Sequence, residues 1–62
     1  MKAKQQNIVV LGAGESGVGA AVLANIKGMN VFVSDAAVIS EKYKNELASN
    51  NIEWEGGSRI RD

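Results

Sequence analysis

The chain has no cysteine, no histidine and no proline, and its aromatic residues are one Trp, one Tyr and one Phe. Without cysteine no disulfide can staple the fold, and without Cys/His pairs no structural metal can. The same absences remove the usual general bases and nucleophiles, so this stretch of chain is not expected to catalyse by itself. Charge excess is missing too. Seven basic residues balance seven acidic ones, which offers nothing to attract nucleic acid or an anionic membrane. Apolar runs fall far short of the roughly 20 residues that cross a bilayer. The opening Met-Lys-Ala-Lys-Gln-Gln leads into four consecutive apolar residues, too few for a signal-peptide core. A soluble, cytoplasmic chain is the expectation. No repeat or low-complexity tract occurs, and 62 residues allow at most one domain. A domain of this size buries only about 60% of the surface its unfolded chain exposes, so its stability margin is thin.

What is present is a glycine triad in a telling place. Gly12-Ala13-Gly14-Glu15-Ser16-Gly17 follows the apolar run Ile8-Val9-Val10-Leu11 and precedes a small-residue helical stretch. In α/β proteins this arrangement brings a diphosphate against a helix N-terminus. The glycines serve a tight turn, close backbone approach to the phosphate, and close helix–strand contact. The helix supplies unpaired N–H groups and the positive end of its dipole. The bland alternative is a glycine-rich turn with no ligand.

The remaining pattern reads β-α-β-α-β. Asn7 to Leu11 is a buried parallel strand without alternation. Gly17 to Lys27 is a helix with Val18, Ala21, Val22 and Ile26 on one stripe. Gly19, Ala20 and Ala21 let it sit tight on the sheet, and Gly28 ends it as a left-handed residue. Asn30 to Ser34 is the second strand. Ser40 caps a second helix with Glu41 in its first turn and Tyr43 and Leu47 on one face. Asn50-Asn51 turns the chain into Ile52-Glu53-Trp54-Glu55, a half-exposed strand. Gly56-Gly57 breaks it, and Ser58 to Asp62 has no periodicity.

The expected fold is therefore α/β, a Rossmann-like parallel sheet in the order 3-2-1. Right-handed crossovers put both helices on one face and leave the other bare, with strand 1 an unpaired edge. Such a sheet is the incomplete N-terminal part of a three-layer domain, its second face to be covered by further chain.

Several side chains are candidates for ligand contact. Ser16 can donate its hydroxyl to a phosphate oxygen, cap the helix beside Gly17, or do both. Glu15 would be repelled by a diphosphate. It either points to solvent and offers only its N–H, or reads a hydroxyl or base edge. Asp35 closes the second strand, where a carboxylate in dinucleotide-binding folds accepts ribose hydroxyls; its plain alternative is a turn Asp. Ser34 faces the other way on the pleat and is structural, while Ala36 and Ala37 can contribute only backbone. Trp54 packs on Tyr43 or Leu47 in preference to stacking on a ligand. The Lys and Arg residues are scattered over a solvated surface.

Taken together, the stretch from Ile8 through Gly12-Ala-Gly-Glu-Ser-Gly17 to Ala21, with Val31-Phe-Val-Ser-Asp35, resembles the N-terminal domain of the Mur ligases. The resemblance runs from about Asn7 to Gly57. It implies that residues 1–62 form a UDP-binding, substrate-anchoring domain whose ligand is UDP-N-acetylmuramoyl-L-alanine. Gly12, Gly14, Glu15, Ser16 and Gly17 would line the diphosphate and uridine, and Asp35 with Ala36 would approach the uracil or ribose. Some family members carry an arginine on the uracil two residues after this Asp; here Ala37 stands there, so that contact is missing. The family reaction is ATP-driven and, in this reading, adds D-glutamate to the substrate carboxylate through an acyl phosphate. ATP and Mg²⁺ are then expected for a full-length enzyme, held by a central domain, because no Gly-x-x-x-x-Gly-Lys-Ser/Thr occurs here. The resemblance places no catalytic residue and no metal ligand in this chain. The competing reading is the NAD-binding half of an oxidoreductase or a nucleotide-sensing domain, which the triad and Asp35 support equally.

Overall fold

The computed structural model describes residues 6–57; the readings for Met1 to Gln5 and for Ser58 to Asp62 lie outside the described residues. The elements follow the expected order: β1 (Asn7–Leu11), α1 (Glu15–Ile26), β2 (Asn30–Ser34), α2 (Glu41–Ser49) and β3 (Glu53–Glu55). The strands form one parallel sheet in the order β1-β2-β3. Asn7 pairs with Asn30 and Leu11 with Ser34, so the C-terminal ends of β1 and β2 finish level. This is the Rossmann-like β-α-β-α-β arrangement that the hydrophobic pattern predicts.

Pleating sorts the strand residues by parity. Val31 and Val33 are buried beneath the helices, with Ile8, Val10 and Trp54 packed against them, and the core is completed by Ala13, Val18, Ala21, Ile39, Leu47 and Ile52. The opposite parity faces away from both helices. There Val9 is 60% and Leu11 82% exposed. Polar neighbours on that face pair across strands: Asn30 Nδ2 donates to Asn7 Oδ1 at 2.9 Å and Ser34 Oγ to Glu55 Oε2 at 2.9 Å. Ser34 is thus structural, as its parity predicts, and Trp54 and Tyr43 pack against the core.

Both helices end on one device. After α1, Gly28 adopts φ +89°; its N–H donates to the Asn25 carbonyl at 3.0 Å, and Met29 N–H donates to that of Ala24 at 3.1 Å. After α2, Asn51 takes the left-handed conformation at φ +59°. Its N–H donates to the Ala48 carbonyl at 3.0 Å and Ile52 N–H to that of Leu47 at 2.9 Å. These crossed bonds satisfy helix-terminal carbonyls and turn the chain back to the sheet. Leu47 and Ile52, the flanking pair after α2, are both in the core.

Three helix details depart from the sequence reading. The apolar stripe of α1 ends at Asn25, not Ile26, which is 71% exposed. Seven residues turn a helix by about 700°, close to two full turns, whereas eight overshoot by about 80°. Asn25 uses its inward position to donate from Nδ2 to the Asn50 carbonyl at 3.0 Å, tying α1 to the end of α2. Gly19 and Ala20 face outward, so the close approach of α1 to the sheet belongs to Gly17 and Ala21. Ser40 occupies the N-cap of α2 with extended backbone, but its hydroxyl makes no capping bond.

Candidate functional site

The segment between β1 and α1 assigns each glycine of the triad a different task. Gly12 has φ +108°, a conformation that side chains oppose. It lets the chain leave the strand while its N–H still donates to the Ser34 carbonyl at 2.7 Å, continuing the parallel pairing. Gly14 is the N-cap of α1, with φ −86° and ψ −166°. A Cβ there would meet nothing within 4 Å, so its missing side chain leaves open space in front of the helix. A Cβ on Gly17 would collide with the carbonyl oxygen of Gly12. This is the close helix–strand contact. Turn and packing are thus the duties of Gly12 and Gly17, while Gly14 leaves the mouth of the helix open.

The helix begins two residues earlier than the reading from Gly17, and this corrects the role of Ser16. Gly14 is the cap, the first intrahelical bond runs from Val18 N–H to the Gly14 carbonyl at 2.9 Å, and Ser16 lies inside the first turn. Ser16 is exposed, so its hydroxyl remains available at the mouth of the helix. A helix start leaves its leading N–H groups without intrahelical acceptors. Among the described residues, the N–H groups of Gly14, Glu15, Ser16 and Gly17 have no protein acceptor. Those of Gly12 and Ala13 do, so Gly12 shapes the site without donating to a ligand. Four consecutive free donors at the positive end of a helix are an arrangement suited to an anion. Residues 12–17 and 35–40 contain no Lys or Arg, so within these two loops the attraction for an anion comes from backbone donors and the Ser16 hydroxyl. Glu15 is exposed in the same first turn, where its carboxylate suits the helix dipole while opposing an anion.

Asp35, Ala36 and Ala37 stand next to this loop because β1 and β2 end side by side. The Asp35 carboxylate is already engaged. Oδ2 accepts the Ala13 N–H at 2.6 Å, and Oδ1 accepts the Ala37 N–H at 2.9 Å. These two donors, Ala13 first, hold the carboxyl below its ordinary pKa, and a slight desolvation opposes them. The group expected to meet ribose hydroxyls is first of all a hydrogen-bonding bridge between two loops. Each oxygen keeps a further lone pair. Ala36 is exposed beside it.

The end of β3 contributes a contact that was not read from the sequence. Gly57 N–H donates to the Ala37 carbonyl at 2.9 Å, and a Cβ on Gly57 would overlap the Ala36 carbonyl. The signal was available: paired glycines closing a strand mark a close backbone approach as well as a break. Two hollows on the molecular surface lie toward the N-terminal ends of the strands. They are lined by residues such as Phe32, Asn51, Glu53 and Trp54 and carry no basic group for a phosphate. Among the described residues no cluster of three or more His, Cys, Asp or Glu is placed to hold a metal ion, and no helix is long and apolar enough to cross a membrane. The glycine loop also lacks the lysine with which a phosphate loop holds ATP.

Comparison with known proteins agrees with the resemblance read from the loop. Over 57 residues, 92% of this chain, the sequence is 60% identical to the UDP-N-acetylmuramoylalanine–D-glutamate ligase of Bacteroides thetaiotaomicron. It is 63% identical over 82% of the chain to the ligase of the same name from Porphyromonas gingivalis. For that of Christiangramia forsetii the identity is 52% over 81% of the chain. The matched stretches are 13%, 11% and 11% of those proteins, so the chain spans only about an eighth of their length. No family model and no solved structure matches the chain.

Proposed function

We propose that this chain is the substrate-anchoring N-terminal part of an ATP-dependent ligase that adds D-glutamate to UDP-N-acetylmuramoyl-L-alanine in peptidoglycan synthesis. The observation that carries the reading is identity of 52–63%, over most of the chain, to proteins bearing that ligase's name. In this proposal the diphosphate of the UDP moiety sits before Gly14, accepting from the N–H groups of Gly14, Glu15, Ser16 and Gly17, with the Ser16 hydroxyl as a further donor. Gly12 and Gly17 set the loop's shape. The uridine lies toward Asp35 and Ala36, and since Ala37 offers no side chain to stack on uracil, base recognition there uses backbone groups. Residues 1–62 are the UDP-binding domain. ATP and Mg²⁺ are bound by other parts of the same cytoplasmic polypeptide, and the chain anchors substrate without catalysing.

The test is a calorimetric titration of the chain with UDP-N-acetylmuramoyl-L-alanine, UDP and NADH. Amide shifts at Gly14 to Gly17 report whether the ligand reaches the loop. Binding of both uridine ligands with shifts at those four amides is the expected outcome. Binding of NADH with no response to either uridine ligand would replace the proposal with a dinucleotide-binding role.

A further inference from the structure

The Gly12-Ala13-Gly14 turn has no side chain long enough to hold itself in place, yet the direction of four free N–H groups depends on it. Its Gly12 end is secured by β2, through the Ser34 carbonyl. At its middle the Ala13 methyl packs in the core, and among the described residues its backbone hydrogen bond goes to Asp35, at 2.6 Å, short as charge-assisted bonds are. Ala13 is 3% exposed, so an N–H released there has little access to water and would be costly to leave unpaired. The carboxylate is itself oriented by its second oxygen, which takes the Ala37 N–H. Ala37 is in turn held by the Gly57 N–H, at a point where only glycine lets the backbones approach. A continuous chain of contacts therefore runs from the end of β3 through the β2–α2 loop to the glycine turn.

We propose that Asp35 is a positioning residue for the phosphate loop, fixing Ala13 and the four donors beyond it, and that Gly57 sets the carboxylate by seating the Ala36-Ala37 backbone. This rests on the phosphate-loop reading above. It differs from a direct ribose contact in a way that can be measured, because inorganic diphosphate has no ribose.

The variants are Asp35→Asn, Gly57→Ala and, as a control, Gly56→Ala, whose added Cβ would meet mainly the Ile39 side chain. Asparagine has one accepting oxygen in place of two, so it cannot satisfy both N–H groups. In the ligand-free chain, Asp35→Asn and Gly57→Ala should each speed hydrogen exchange at the Ala13 amide about tenfold, the scale of one lost bond to a charged group. Exchange at Val33, in the centre of the sheet, should stay unchanged. A merely structural loss would speed both amides together. Both variants should weaken UDP and inorganic diphosphate by a similar factor, and Gly56→Ala neither. For Asp35→Asn the result is diagnostic, because removing a negative charge would otherwise strengthen anion binding.

Loss of UDP affinity with diphosphate affinity intact would overturn the inference in favour of a ribose contact. Unchanged exchange at Ala13 in either variant would overturn that variant's part in it. Faster exchange with unchanged affinity for both anions would overturn it as well. If the unaltered chain binds neither UDP nor diphosphate, the phosphate-loop reading fails instead, and exchange at Ala13 still decides whether Asp35 holds the turn.

Discussion

Two glycines of α1 should respond in opposite directions to the same substitution. In an exposed helix interior, alanine is favoured over glycine by about 1 kcal/mol, because glycine loses more backbone entropy. Gly19 meets that condition: it is exposed, mid-helix, and an added Cβ would meet nothing within 4 Å. At Gly17 the same Cβ would strike the Gly12 carbonyl oxygen. That atom is backbone, so no rotamer change can relieve the overlap, and α1 must move off the sheet near its start. Overpacking of this kind costs about 1–3 kcal/mol and more against rigid atoms. Against a rigid backbone atom the upper part of that range applies, about 2–3 kcal/mol, and subtracting the propensity gain of about 1 kcal/mol leaves a net loss of about 1–2 kcal/mol. A domain this small has roughly 3–5 kcal/mol to lose. With a urea dependence near 1 kcal/mol per M for so short a chain, Gly17→Ala should lower the unfolding midpoint by about 1–2 M. Gly19→Ala should raise it by up to about 1 M. Trp54, packed at the sheet edge, supplies the fluorescence signal. A rise in both midpoints would refute the close-contact argument, and a fall in both would refute the reading of Gly19 as a free surface position.

Gly14→Val should leave the urea midpoint within about 1 M of the parent, because extended backbone accepts valine and open space surrounds the site; calorimetry should nevertheless show UDP binding abolished, since the isopropyl group fills the approach to the free donors. Asn51 sits at φ +59°, so Asn51→Gly should be neutral or stabilising and Asn51→Val destabilising by about 1–2 kcal/mol in the same urea assay. Asp35 should make stability acid-sensitive. Its folded-state pKa lies below the ordinary value of 3.8, so its contribution is complete above that value and is lost as pH falls through the lowered one. Thermal unfolding from pH 5 to pH 2 should show this loss, and Asp35→Asn should flatten that part of the profile; an unchanged slope would mean the carboxylate is not held by Ala13 and Ala37.

Local signals determined most of the architecture. The unbroken apolar run at Ile8 to Leu11, the small-residue helix after it and the alternation around Trp54 are short-range patterns that each element can satisfy alone. Gly28 and Asn51 stop their helices for reasons contained in a few residues. Even the turn at Gly12 and the close contact at Gly17 follow from the spacing of the triad. Helix phase was less legible. Whether Asn25 or Ile26 faces inward depends on an angular offset of one residue, and Asn25 wins because α2 offers it an acceptor.

The site is where sequence reading stopped short. A carboxylate at the end of the second strand was expected to face a ligand, with a turn Asp as the plain alternative, and its bond to the Ala37 N–H two residues on is of that local kind. Its occupation by Ala13 depends on parallel strands finishing level, a register that exists only once the sheet has formed. The same holds for Gly57, read along the chain as a strand breaker and found in space against the Ala36 carbonyl. Composition and spacing decided what each residue can do. Tertiary structure decided which donors were already spent, leaving the N–H groups of Gly14 to Gly17 without an acceptor among the described residues, because hydrogen-bond partners distant in sequence are assigned only by the folded sheet.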